Sequence, residues 1–134
     1  MVGGIIVTHG SLAASLKEAA ESIAGPMDNV RVVSVIAQDA TEDIRARIVV
    51  AIKEADSGAG VIIFTDMFGG TPTNISLSFL EAGRVEVITG VNLPMLLKFI
   101  GHRADKPLDE LARLLREYGR SSIVLAADML KEKK

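Results

Sequence analysis

Two short stretches hold the side chains best suited to chemistry. Thr8-His9-Gly10-Ser11 places a histidine between a hydroxyl and a glycine, and Asp66-Met67-Phe68-Gly69-Gly70-Thr71-Pro72-Thr73-Asn74 places a carboxylate before a glycine-rich run with hydroxyl and amide donors. A histidine nucleophile needs one ring nitrogen unprotonated. A carboxylate that accepts a hydrogen bond from the other nitrogen fixes that tautomer and supports the cation formed on attack. A histidine held this way attacks phosphorus well and leaves well, so His9 and Asp66 form the candidate catalytic pair, with His9 as phosphoryl carrier and Asp66 as orienter.

The second stretch supplies a place for the phosphate. A helix that begins near Thr71 or Pro72 presents free backbone N–H groups and a positive dipole end, and the hydroxyls of Thr71 and Thr73 and the amide of Asn74 add further donors. Gly70 gives the turn, and Gly10 lets backbone approach a ligand, so Gly10, Gly70, Thr71, Thr73 and Asn74 are the candidate phosphate-binding residues. No lysine or arginine lies in this turn, which suits transfer rather than storage. The residues alone leave a second reading open, in which His9 is a hydrogen-bonded histidine at a strand end and Asp66 caps the turn that follows it.

The elements that must position these groups follow a βα rhythm. Ile5-Ile6-Val7, Val30 to Ile36, Val61 to Thr65 and Val85 to Ile88 are β-branched apolar runs that read as strands. Helical stripes lie between them: Leu12, Leu16, Ala19, Ala20 and Ile23 after an N-cap at Ser11, then Ile44, Ile48, Ala51, Ile52 and Ala55 after Asp39-Ala40-Thr41-Glu42, which has capping-box spacing. A third helix runs from the Gly69-Gly70 turn to about Ala82, a short one from Leu93-Pro94 through Ile100, and a longer one from Pro107 to a stop at Gly119. Ile123 to Ala127 is apolar and is assigned a short edge strand. These alternations predict an α/β fold, a doubly wound, mostly parallel sheet of four strands in the order 2-1-3-4 with helices on both faces. With strands one and three as neighbours, their carboxyl ends lie about 4.8 Å apart, and His9 meets Asp66.

Composition bounds the rest. The 134 residues suffice for one domain, 1–134, and 49% hydrophobic with 4% aromatic residues asks for an aliphatic core. A net charge of −2 with one basic cluster, Lys131-Glu132-Lys133-Lys134, predicts a solvated lysine end and no nucleic-acid partner. There is no cysteine, no dinucleotide or P-loop glycine pattern and no dense His/carboxylate cluster, so neither a cofactor nor a metal is expected. His102, at the end of a short helix, is assigned a structural or solvent role. The lack of a signal-peptide pattern and of a spanning apolar run predicts a soluble, cytoplasmic protein.

Three motifs in register resemble one family. Ile5-Ile6-Val7-Thr8-His9-Gly10, Asp66 through Asn74, and Gly90-Val91-Asn92-Leu93-Pro94-Met95-Leu96 are similar to the IIA proteins of the mannose class (fructose and mannose types) of the bacterial phosphoenolpyruvate-dependent sugar phosphotransferase system. The resemblance implies that the histidine phosphocarrier protein phosphorylates His9, that Asp66 hydrogen-bonds its ring, and that the Gly70-Thr71 turn contributes to the phosphate site. It implies a IIB protein as acceptor, a separate chain because this one stops at Lys134. It further implies a homodimer in which a C-terminal antiparallel strand is exchanged, which would give Ile123 to Ala127 a purpose. A regulatory module that reports phosphorylation state and a phosphodonor subunit for dihydroxyacetone kinase are the alternatives.

Overall fold

The computed structural model describes residues 1–132. Lys133 and Lys134, half of the predicted solvated end, lie outside them. Four strands, β1 (Gly3–His9), β2 (Val30–Val35), β3 (Val61–Thr65) and β4 (Val85–Ile88), form one sheet in the order β2-β1-β3-β4. Every pairing is parallel, with Val7 opposite Thr65 and Val61 opposite Val85. Six helices follow the strands: α1 (Leu12–Ala24), α2 (Thr41–Ala55), α3 (Gly70–Leu77), α4 (Leu93–His102), α5 (Leu108–Ser121) and α6 (Ala126–Glu132). Among the described residues, no helix is long and apolar enough to cross a membrane.

The central strands are apolar on both faces because both faces are covered. Ile6, Ile62 and Phe64 pack with residues of α1, α4 and α5, while Ile5, Val7, Val61 and Ile63 pack with residues of α2 and α3. On the first face Phe64 meets Phe99 edge-on at 5.2 Å, a pair worth about 0.5–1.5 kcal/mol beyond its buried area. Gly4 makes room for it, since a Cβ there would stand 3.1 Å from the Phe99 ring. Gly3 lies against the end of α2, where a Cβ would be 2.2 Å from the Ala55 carbonyl oxygen. β1 therefore starts two residues earlier than its β-branched run.

Four features differ from expectation. α1 keeps Leu16 and Ala20 of the predicted stripe against the core, but it buries Ala13 and leaves Leu12 45% and Ile23 63% exposed at its two ends. Alanines let the helix lie close to the sheet, and its first turn is satisfied not by Ser11 but by Thr8, whose Oγ1 accepts the Ala13 N–H at 2.8 Å. Asp39 likewise caps no helix: its carboxylate accepts the Ile36 N–H and pairs with Arg47, both at 2.9 Å. α3 ends at Leu77, not near Ala82, as the Ser76 and Ser78 hydroxyls bond back to the Pro72 and Ile75 carbonyls and the chain leaves through tight turns.

The fourth difference is at the C-terminus. The predicted edge strand over Ile123 to Ala127 is not formed: residues 123–125 belong to no element, and Ala126 opens α6. Within the described residues this segment pairs with no strand. The outer edge of β4 is already engaged where Val85 exchanges backbone hydrogen bonds with Glu81 and where the Val87 N–H donates to the Glu86 side chain. Ala-Ala-Asp-Met-Leu-Lys-Glu consists mainly of good helix formers and coils instead. Ile123, Val124 and Leu125 are left 79%, 56% and 68% exposed.

Candidate functional site

β1 ends at His9 and β3 at Thr65, side by side in the middle of the sheet. After β1 the chain turns outward to β2 and α1. After β3 it turns the other way, to α3 and β4, so the two carboxyl ends open a crevice between diverging connections. His9 and Asp66 occupy it. One carboxylate oxygen, Oδ2 of Asp66, accepts both the His9 backbone N–H at 2.9 Å and a bond from ring Nδ1 at 2.7 Å. An ionised carboxylate can only accept, which assigns the ring proton to Nδ1 and leaves the lone pair on Nε2. His9 is half exposed while Asp66 is nearly covered, with side-chain exposures of 52% and 12%.

Burial pushes the Asp66 carboxyl up, but the hydrogen bonds from the His9 backbone and ring, with the electrostatic attraction of that ring, outweigh it, and its pKa lies below the ordinary carboxylate value. The orienting group is thus an anion at neutral pH. Its second oxygen, Oδ1, is buried and has no hydrogen-bond partner among the described residues.

The glycine-rich turn lies against the ring. A Cβ at Gly70 would stand 3.2 Å from Cε1 and 3.4 Å from Nε2 of His9. Gly69 and Gly70 both have left-handed backbones, at φ +89° and +79°. They open α3, so the N–H groups of Gly70 and Thr71 fall in the turn that has no intrahelical partners. Gly10, at φ +56°, follows His9 directly and gives its N–H to the Val35 carbonyl at 2.9 Å.

The predicted site residues divide. His9, Asp66 and Gly70 are in contact, Gly10 adjoins them, Thr71 is exposed in the first turn of α3, and Asn74 is exposed further along it. Thr73 points the other way. It is fully buried, with its hydroxyl 2.7 Å from Thr65 Oγ1 and hydrogen-bonded to the Met67 carbonyl, so it binds the protein's own backbone. His102 lies at the far end of α4, with Nδ1 3.8 Å from Asp105, away from the site. Sequence reasoning passed over Thr65, a hydroxyl closing an otherwise apolar strand, and an apolar rim on this side of the sheet. Leu12, Ile36, Met67 and Phe68, each just beyond the carboxyl end of a strand, are 45%, 52%, 53% and 78% exposed.

Fold and site together define a doubly wound α/β domain that carries a carboxylate-oriented histidine at its switch point. The chain matches the family described as "PTS system fructose IIA component" over residues 3–115. It is 30% identical over its whole length, and over 92% of the relative's, to the PTS system fructose-specific EIIA component of Bacillus subtilis. It is 33% identical over 89% of its length to the PTS system mannose-specific EIIAB component of Escherichia coli, of which it spans 38%. A solved phosphotransferase system component EIIA from Streptococcus agalactiae superimposes with a TM-score of 0.85 at 27% identity, covering 96% of this chain and 99% of that one. A PTS IIA protein associated with the fucose utilization operon of Streptococcus pneumoniae gives the same score and identity, covering 97% and 99%. The chain belongs to the mannose-class IIA family of the sugar phosphotransferase system.

Proposed function

We propose that His9 accepts a phosphoryl group from the histidine phosphocarrier protein and passes it to a separate IIB protein in sugar uptake and phosphorylation. The observation that carries this reading is the Nδ1–Asp66 hydrogen bond of 2.7 Å, which leaves Nε2 as the free nucleophile beside Gly70. In the forward step the Nε2 lone pair attacks phosphorus. The new N–P bond forms as the bond to the donor's histidine breaks, and that bond's electron pair returns to the donor ring. The proton on Nδ1 stays in place, and the Asp66 anion balances the ring's positive charge. The N–H groups of Gly70 and Thr71, the Thr71 hydroxyl and the Asn74 amide are the donors for the phosphoryl oxygens. The second transfer to IIB is the same step in reverse. The exposed Leu12, Met67 and Phe68 give both partners an apolar surface to cover, and neither cofactor nor metal takes part.

The protein works as a homodimer in this reading, and exchange of the C-terminal segment supplies the reason for the exposed Ile123-Val124-Leu125. Beside β4 a groove of about 370 Å³, lined in part by Leu77, Val87 and Ala112, offers apolar cover to such a segment from a second copy. The test of function is intact-mass spectrometry at mildly alkaline pH after incubation with phosphoenolpyruvate, enzyme I and the phosphocarrier protein. One acid-labile phosphoryl group is expected on the wild type and none on His9→Ala. An unchanged mass in the folded wild type, with components from its own organism, refutes the reading.

A further inference from the structure

The bonds that Thr73 makes single it out. Asp66 sits on the link between a strand and a turn, so the backbone on either side of it sets whether its carboxylate reaches His9. The residues on either side of it are both tied to one hydroxyl. Thr73 Oγ1 lies 2.7 Å from Thr65 Oγ1 and bonds the Met67 carbonyl. A carbonyl only accepts, and a hydroxyl has one proton to give. Thr73 therefore donates to Met67, and the Thr65 hydroxyl donates to Thr73. This chain of hydroxyls is closed off from water, Thr65 and Thr73 both being fully buried, so no solvent molecule replaces a lost link. A further bond completes the bracket: the Thr65 carbonyl accepts the Val91 N–H at 3.0 Å.

We propose that Thr73 is a positioning residue that holds the Asp66 carboxylate on His9 by tying together the residues before and after it, rather than a ligand of the phosphoryl group. The inference rests on the reading of His9 and Asp66 as the site. Without the hydroxyl, the buried Thr65 hydroxyl has no partner and the Met67 carbonyl is released from the helix, the turn shifts, and Oδ2 of Asp66 loses its aim. Because Oδ2 holds both the backbone N–H and the ring of His9, a small displacement weakens two bonds together.

The test compares Thr73→Val, which keeps the side-chain shape and loses the hydroxyl, with Thr73→Ser, which keeps the hydroxyl. Two quantities are read: the hydrogen-bonded His9 Nδ1–H resonance in nitrogen-15 NMR, and the rate of phosphoryl uptake from the phosphocarrier protein. Thr73→Val is expected to lose or broaden the ring resonance and to slow uptake about tenfold, while Thr73→Ser keeps both close to wild type. An intact resonance and an unchanged rate in Thr73→Val overturn the proposal, and so does a Thr73→Ser variant as impaired as Thr73→Val. If Thr73→Val does not fold, Thr65→Val cuts the same chain at its other hydroxyl. Faster solvent exchange of the Nδ1 proton then supports the proposal, and an unchanged rate of exchange overturns it. The resonance needs no phosphoryl donor, so failure of the phosphocarrier reading shows separately, as no uptake by a wild type whose ring signal still responds to Thr73.

Discussion

Replacing Gly70 with alanine should damage transfer far more than stability. Residue 70 has φ +79°, a conformation that costs an L residue roughly 1–2 kcal/mol, so the variant should remain folded. The new methyl carbon would stand 3.4 Å from Nε2 of His9. Reacting atoms must themselves come within about 3–3.5 Å before a bond forms, so the methyl occupies part of the space that incoming phosphorus needs. Pushing the donor back by about 1 Å costs on the order of a hundredfold in rate. Gly69→Ala is the control, because Gly69 has a similar backbone at φ +89° and open space around its Cα. The assay is phosphoryl uptake by rapid-quench mass spectrometry beside thermal melting of each variant. Gly69→Ala should melt lower and transfer nearly normally, and Gly70→Ala should melt lower and transfer about a hundredfold more slowly. Equal slowing in the two variants would refute the crowding argument and leave backbone strain as the cause.

Other outcomes follow from single contacts. Asp56 Oδ1 accepts the Gly58 and Gly60 N–H groups at 2.8 and 3.2 Å, and the Gly58 bond, opposed by burial and aided by Gly60 and Arg84, holds its pKa below the usual value. A depressed folded pKa stabilises above the unfolded value of about 3.9 and stops doing so as pH falls through the folded one. Asp56→Ala should therefore cost about 2 kcal/mol at neutral pH, and in urea titrations the gap to wild type should shrink as pH falls below about 4; a gap independent of pH contradicts this. Gly3→Ala forces a Cβ to within 2.2 Å of the Ala55 carbonyl oxygen, and β1 or α2 must move. A loss of about 1–3 kcal/mol is expected, read as a lower urea midpoint, and a wild-type midpoint contradicts the packing. If the proposed segment exchange holds, the full chain should run as a dimer in light scattering and a chain ended at Ser122 as a monomer; equal masses refute segment exchange.

The strands and the meeting of His9 with Asp66 are legible because both depend on short-range signals. β-branched runs that stop at a histidine-glycine pair or before a glycine pair mark the carboxyl ends of buried strands, and parallel winding then brings β1 beside β3. Which residues of a helix meet the sheet is less legible. Ala13, not Leu12, meets the sheet because close approach is set by the smallest side chains, which hydrophobic periodicity weighs least. Thr71 and Thr73 look equivalent as hydroxyl donors, yet residues two apart on a helix cannot face the same way. The phase of α3 sends Thr73 into the protein and leaves Thr71 outside. The segment after α5 forms no strand within the chain for another reason: an apolar, β-branched Ile-Val-Leu needs a strand to pair with, and local sequence does not say whether one is free.

The bond between His9 and Asp66 joins residues 57 apart in the chain. During synthesis His9 emerges early, with α1 and β2 close behind it, yet no carboxylate orients its ring until the whole of α2 and β3 has been made and β3 has docked against β1. On the proposed reading of His9 as phosphoryl carrier, the histidine is thus made well before the carboxylate that fixes its tautomer. A nascent or half-unfolded chain would keep the histidine without that fixed tautomer, and its uptake of phosphoryl groups would depend on β1 and β3 having paired.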